Sequence, residues 1–147
     1  MSPRTLFRVV AVTEAITWTG LLAGMFLKYV PETTELGVQV FGPLHGIAFI
    51  AYSLVTVLVA VDQRWSRGRT LLGLASAIPP LMTVWFDRHV ERQHGLHSAW
   101  HSREDSKSRA RRSIAWLRAH GSLAALGFVA AVAGLTGVAL LVGPPVG

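Results

Sequence analysis

Cysteine is absent from the 147 residues, which excludes disulfides, thiolate metal sites and a thiol nucleophile and leaves the redox compartment unmarked. Zinc-enzyme spacing of the H-E-x-x-H kind is missing as well, and no repeat of solenoid or inverted-repeat form is visible, which argues against a transporter built from duplicated halves. Acidic residues are few, 8 against 14 Lys and Arg. An excess of that sign suits nucleic acid or anionic lipid. Eight of the basic residues fall between Arg88 and Arg118, beside apolar runs, so lipid headgroups are the expected partner and nucleic acid is not.

What the chain has in quantity is apolar residues, 51%, high for a soluble domain of this length. They gather in four runs, about 7–27, 41–61, 70–86 and 121–142, each near the length that crosses about 30 Å of hydrocarbon as a helix. The last, GSLAALGFVAAVAGLTGVALLV, has no charge on any face, unlike a helix of a soluble bundle. The first run follows Arg4 and Arg8 but is long for a signal sequence and lacks a small-x-small cleavage site, so it is expected to stay as an anchor. The expected fold is an all-α membrane protein, a bundle of four transmembrane helices. Residues 1–92 form a three-helix membrane core, 93–120 a basic His-rich loop and 121–147 a C-terminal transmembrane helix. Helix 2 is expected to open at Gly42-Pro43, where a proline suits a first turn.

Helix 3 carries Pro79-Pro80 at its middle. The pair kinks or breaks a helix and is tolerated in lipid only where neighbouring protein or water satisfies the freed backbone groups. With four full crossings, nine Lys and Arg lie on the side of the polar loop 87–120 and five on the other. The positive-inside tendency then puts that loop in the cytoplasm and both termini outside. A re-entrant helix 3 would instead gather the N-terminus and the loops on either side of helix 3 on the inner face.

Glu14 lies well inside helix 1, where a carboxylate should face the bundle or a water pocket. At about 1.5 Å per residue, Glu14 and His45 differ by roughly 14 Å in depth, so two polar layers are expected. The inner one holds Glu14, Thr17 and Ser76; the interfacial one holds Lys28, His45 and Asp87. Each serves as a proton relay or headgroup pocket, or simply fixes helix register. His94, His97 and His101 share a face if helical, a spacing that could hold a metal, but Gly95 weakens that helix and no carboxylate orients the set. A solvated loop is the plainer reading, and no cofactor is expected. Haem is disfavoured because only His45 and His120 adjoin spans, both near helix ends. Gly20 and Gly24 in helix 1, and Ala130, Gly134 and Gly137 in helix 4, form small-residue faces for helix packing. Arg109, Arg111, Arg112 and Arg118 lie in a basic stretch suited to anionic headgroups.

The ordered segments FRVVAVTEAITW, MFLKYV, FGPLHGIAFIAY and IPPLMTVWFDRHV resemble the small bacterial integral membrane proteins grouped as domain of unknown function 3817, over about residues 5–92. The resemblance implies a three-helix membrane protein with characteristic positions at Arg8, Glu14, Lys28, Tyr29, Gly42, Pro43, His45, Gly46, Pro79, Trp85 and Asp87. Pro80 stands where the family pattern has glycine. No activity comes with the resemblance, and helix 4 lies outside it. The expected role is that of a non-enzymatic accessory subunit of a larger bacterial inner-membrane complex, of respiratory or transport type, with other membrane subunits and the lipid bilayer as partners. The alternative is a small homo-oligomeric proton-linked carrier or channel with Glu14 as the titrating group.

Overall fold

A computed structural model describes residues 1–100 and 120–142. Among them every regular element is a helix: α1 Pro3–Tyr29, α2 Leu36–Asp62, α3 Arg67–Ala75, α4 Met82–Arg92 and α5 Gly121–Val142. The described residues fall into two units, 1–100 and 120–142.

α1 starts where its sequence says a helix should. The Ser2 hydroxyl accepts from the Thr5 amide at 3.1 Å and Pro3 occupies the first turn, where its missing N–H costs nothing. Lys28 lies in the last turn, favourable against the helix dipole, and Pro31 follows two residues after the end. α2 does not begin at Gly42-Pro43 as expected. It begins at Leu36 and carries Pro43 inside. Tight packing on α1 compensates, because Gly37 meets Gly24 backbone to backbone: a Cβ on Gly24 would lie 2.5 Å from the Gly37 carbonyl carbon. Glycine on both helices permits that approach.

The two long helices, 27 residues each, are long and apolar enough to cross a membrane. The expected single helix at 70–86 is instead two, α3 and α4. Pro79 and Pro80 have no N–H to give the preceding turn, and the chain tightens instead. Ala77 N bonds Leu74 O at 3.2 Å and Ile78 N bonds Ala75 O at 3.1 Å. Leu81 then takes a left-handed conformation, φ 65°, and α4 sets off in the opposite direction. At nine residues α3 is roughly 14 Å long, less than half the hydrocarbon thickness. α3 and α4 are therefore a helical hairpin that enters and leaves at the same end of the unit.

Side-chain bonds tie that end together. Trp65 Nε1 donates to Gly95 O at 2.7 Å, Arg69 Nη2 to Gln93 Oε1 at 3.1 Å, and Trp100 Nε1 to Met1 O at 3.0 Å. The N-terminus, the α2–α3 connection and residues 93–100 thus lie together, and the α1–α2 connection lies at the far end. Within this unit the chain therefore turns back at the prolines, the placement of ends that a re-entrant helix 3 implies.

The core follows from the hairpin's position. Phe7 packs edge-on to Trp65 at 5.7 Å and Phe86 at 6.1 Å and tilted on Tyr52 at 5.6 Å. One aromatic from each of α1, α2 and α4, with Trp65 from the α2–α3 connection, fills the space inside the hairpin's mouth. α5 is helical over the expected range and uncharged.

Candidate functional site

The polar side chains of the first unit form a ladder along α1. Its centre is Glu14, which is fully buried. The Thr83 hydroxyl, in the first turn of α4, stands 2.6 Å from Glu14 Oε2 and 3.1 Å from Ala11 O. Glu14 Oε1 is buried without a hydrogen-bond partner. One turn further along α1, the Thr17 hydroxyl donates to Glu14 O at 2.9 Å and stands 3.4 Å from His45 Nδ1. Trp18 lies against the His45 ring, centroids 4.6 Å apart, and donates its Nε1–H to Ala77 O at 3.2 Å.

Towards the N-terminus the ladder is ionic. Arg8 Nε bonds Asp87 Oδ2 at 3.1 Å, and Arg8 and Arg4 both pair with Glu91. The pairing has a simple origin. Arg4 and Arg8 are one turn apart on α1, and Thr83, Asp87 and Glu91 recur every four residues on α4. Four-residue spacing stacks side chains on one helix face, and the antiparallel helices bring the two stripes into register.

The proline turn is held by a third group. Gly73 O has lost its usual amide partner to the tightened turn, and accepts instead from Ser76 Oγ at 2.7 Å and Tyr52 Oη at 3.0 Å. The two hydroxyls also touch, 3.0 Å apart. A carbonyl has two lone pairs, so Tyr52 of α2 and Ser76 after α3 together satisfy the backbone group that the tightened turn leaves open, while Ala75 O, which Pro79 cannot serve, accepts from Ile78 N.

The expected layers are regrouped. Glu14 and Thr17 do lie together, but Ser76 belongs with Tyr52 at the turn. Lys28, His45 and Asp87 do not form a layer: Lys28 pairs with Glu35 at 3.3 Å at the far end, Asp87 pairs with Arg8, and His45 sits beside Thr17. Helix α2 starts about five residues earlier than expected, which carries His45 roughly 7.5 Å deeper along the helix and removes most of its calculated separation from Glu14.

Gly20 and Gly24 both face α2, with Phe41 over Gly20 and Gly37 against Gly24. A Cβ at Gly134 or Gly137 of α5 would meet nothing within 4 Å, and Ala130 is exposed. His97 engages Gln63 through its amide and Nδ1, both at 3.0 Å, while His94 has a left-handed backbone, φ 54°. His101, Arg109, Arg111, Arg112 and Arg118 lie outside the described residues. Among the described residues no three His, Asp or Glu side chains are grouped to hold a metal ion.

Thr83 and Tyr52 escaped the sequence reading, although Thr83 stands four residues before Asp87, a polar spacing in an apolar stretch that marks an inward face.

Comparison with known proteins agrees on a membrane setting. The model of the family described as "Domain of unknown function (DUF3817)" matches residues 4–92. A curated protein of Streptomyces coelicolor (strain ATCC BAA-471 / A3(2) / M145), named "Putative membrane protein SCO5905", is 58% identical over 82 residues, covering 55% of this chain and 10% of that protein. The chain thus spans about a tenth of the length of this relative. No solved structure matches.

Proposed function

This chain belongs to the DUF3817 family, and we propose that it is a non-enzymatic accessory subunit of a larger bacterial cytoplasmic-membrane complex, of respiratory or transport type. The observation that carries the reading is the placement of Glu14. It is fully buried and bonded to the hairpin through Thr83, and neither surface groove described, on α4 or between α2 and α3, is lined by it. A carboxyl so placed fastens helices together and holds the small unit rigid for docking. The family segment also makes up 10% of a longer relative, a setting in which such a unit is joined to further mass.

The end carrying the N-terminus faces the cytoplasm in this proposal. Arg4, Arg8, Arg64, Arg67, Arg69, Arg88 and Arg92 gather there, against Lys28 alone at the far end of the unit, a bias that favours retention on the inner side. Blue-native electrophoresis of gently solubilised membranes containing the tagged chain tests the role. Co-migration with other subunits is expected, and migration only as a monomer or homo-oligomer overturns it.

One observation favours a second reading. Thr83 has one hydroxyl proton for two nearby oxygens, so a protonated Glu14 would donate from Oε2 to Thr83 while Thr83 donates to Ala11 O, and the partnerless Oε1 would then be a neutral carbonyl and not half of a buried charge. A carboxyl that can exchange a proton suits a homo-oligomeric carrier or channel. Proton flux in liposomes that disappears in Glu14→Gln would establish this reading over the first.

A further inference from the structure

α4 has two faces of different character. Thr83, Phe86, Asp87 and Val90 are buried against the unit, and its two acids are turned inward to Arg4 and Arg8. The opposite face forms a groove of about 440 Å³ lined by Leu81, Val84, Trp85, Arg88, His89 and Arg92. Arg88 and Arg92 are exposed and have no ion-pair partner among the described residues, in contrast to Arg4 and Arg8 on α1. Trp85 stacks on His89, ring centroids 4.9 Å apart at 15°, which fixes both rings along the groove wall.

The order along the helix matters as much as the charge. Leu81 lies at the hairpin turn, level with the middle of α1, and Arg92 lies at the end shared with the N-terminus. The groove is thus apolar at depth, aromatic midway and cationic at the rim. A membrane lipid has the same order, acyl chain, glycerol, phosphate. We propose that this face of α4 binds one anionic phospholipid. Its phosphate sits between Arg88 and Arg92 beside His89, and one acyl chain runs along Trp85, Val84 and Leu81. Arginines one helical turn apart can share a phosphate, and among the described residues no carboxylate lines the groove to oppose it. The proposal rests on the membrane setting and not on the accessory role.

Native mass spectrometry of the full chain in detergent, titrated with phosphatidylglycerol, phosphatidylcholine or inorganic phosphate, tests it. One phosphatidylglycerol is expected to bind in preference to phosphatidylcholine, with inorganic phosphate failing to compete. Arg88→Gln with Arg92→Gln should weaken phosphatidylglycerol binding about thirtyfold, the fold-change that corresponds to about 1 kcal/mol of headgroup attraction per arginine. The Lys pair at the same positions should retain most of it. Arg67→Gln, at the same end but off α4, should leave it unchanged. An unchanged melting temperature in the same detergent without added lipid shows that the Gln variant is folded. Equal binding of the two lipids, or equal loss in Arg67→Gln, overturns the site; displacement by inorganic phosphate overturns the lipid as its occupant.

Discussion

Thr83 stands 2.6 Å from Glu14 although 69 residues separate them, and this contact is where the hairpin locks onto α1. Replacing Thr83 with Val keeps the shape and removes the hydroxyl, leaving the buried carboxyl without its partner. A loss of about 1–3 kcal/mol is expected, read as a lower melting temperature of the detergent-solubilised protein. Thr83→Ser should recover most of it. A Val variant as stable as the parent would show that the contact contributes nothing.

The glycines divide into those that touch and those that do not. Gly24→Ala and Gly37→Ala each drive a methyl into the facing backbone, at a cost of about 1–3 kcal/mol each. Their combined effect should fall short of the sum, because the first separates the helices for the second. Gly46→Ala meets nothing within 4 Å and should stabilise α2 by up to about 1 kcal/mol through helix propensity. Thermal unfolding of the three variants checks the contrast.

A double-mutant cycle on Arg8→Gln and Asp87→Asn should return a coupling of about 1.5–3 kcal/mol, the range for a hydrogen bond to a charged group. Asp87 is nearly buried while Arg8 is half exposed. Loss of Arg8 alone should therefore cost more than loss of both, since it strands a buried carboxylate. Strict additivity would mean that the two do not act as a pair.

The native chain has no cysteine, so single cysteines report topology cleanly. Thr33→Cys and Ser98→Cys both lie at exposed positions, at opposite ends of the unit. In intact cells an impermeant maleimide should label the first and spare the second until the membrane is opened. Labelling of both from outside would contradict the hairpin.

The two long helices, the inward-facing carboxyl and the trouble at Pro79-Pro80 were legible because each is local: apolar run length, one costly residue, two missing N–H groups. The hairpin's depth was not. A run of 17 apolar residues fits a crossing as well as it fits two half-depth helices. What separates the two is whether Tyr52 and Ser76 can serve Gly73 O, a matter of partners far along the chain. The four-residue polar stripes on α1 and α4 were visible, but their pairing depends on which helix turns back. The depth of His45 is hidden for a related reason. Pro43 marks a good first turn in isolation, and only the contact of Gly37 with Gly24 reveals why α2 begins earlier.

The tightened turn at Ala77–Leu81 has one more consequence under the proposal that α1 and α2 cross a bilayer with the N-terminus inside. Between Met1 and Trp100, the short acidic connection after Tyr29 would then be the sole polar stretch that insertion machinery exports. The hairpin can slot sideways into the cleft once the two long helices are in place, with no hydrophilic cargo to haul through, and Arg4 and Arg8 wait at the opening to receive its acids.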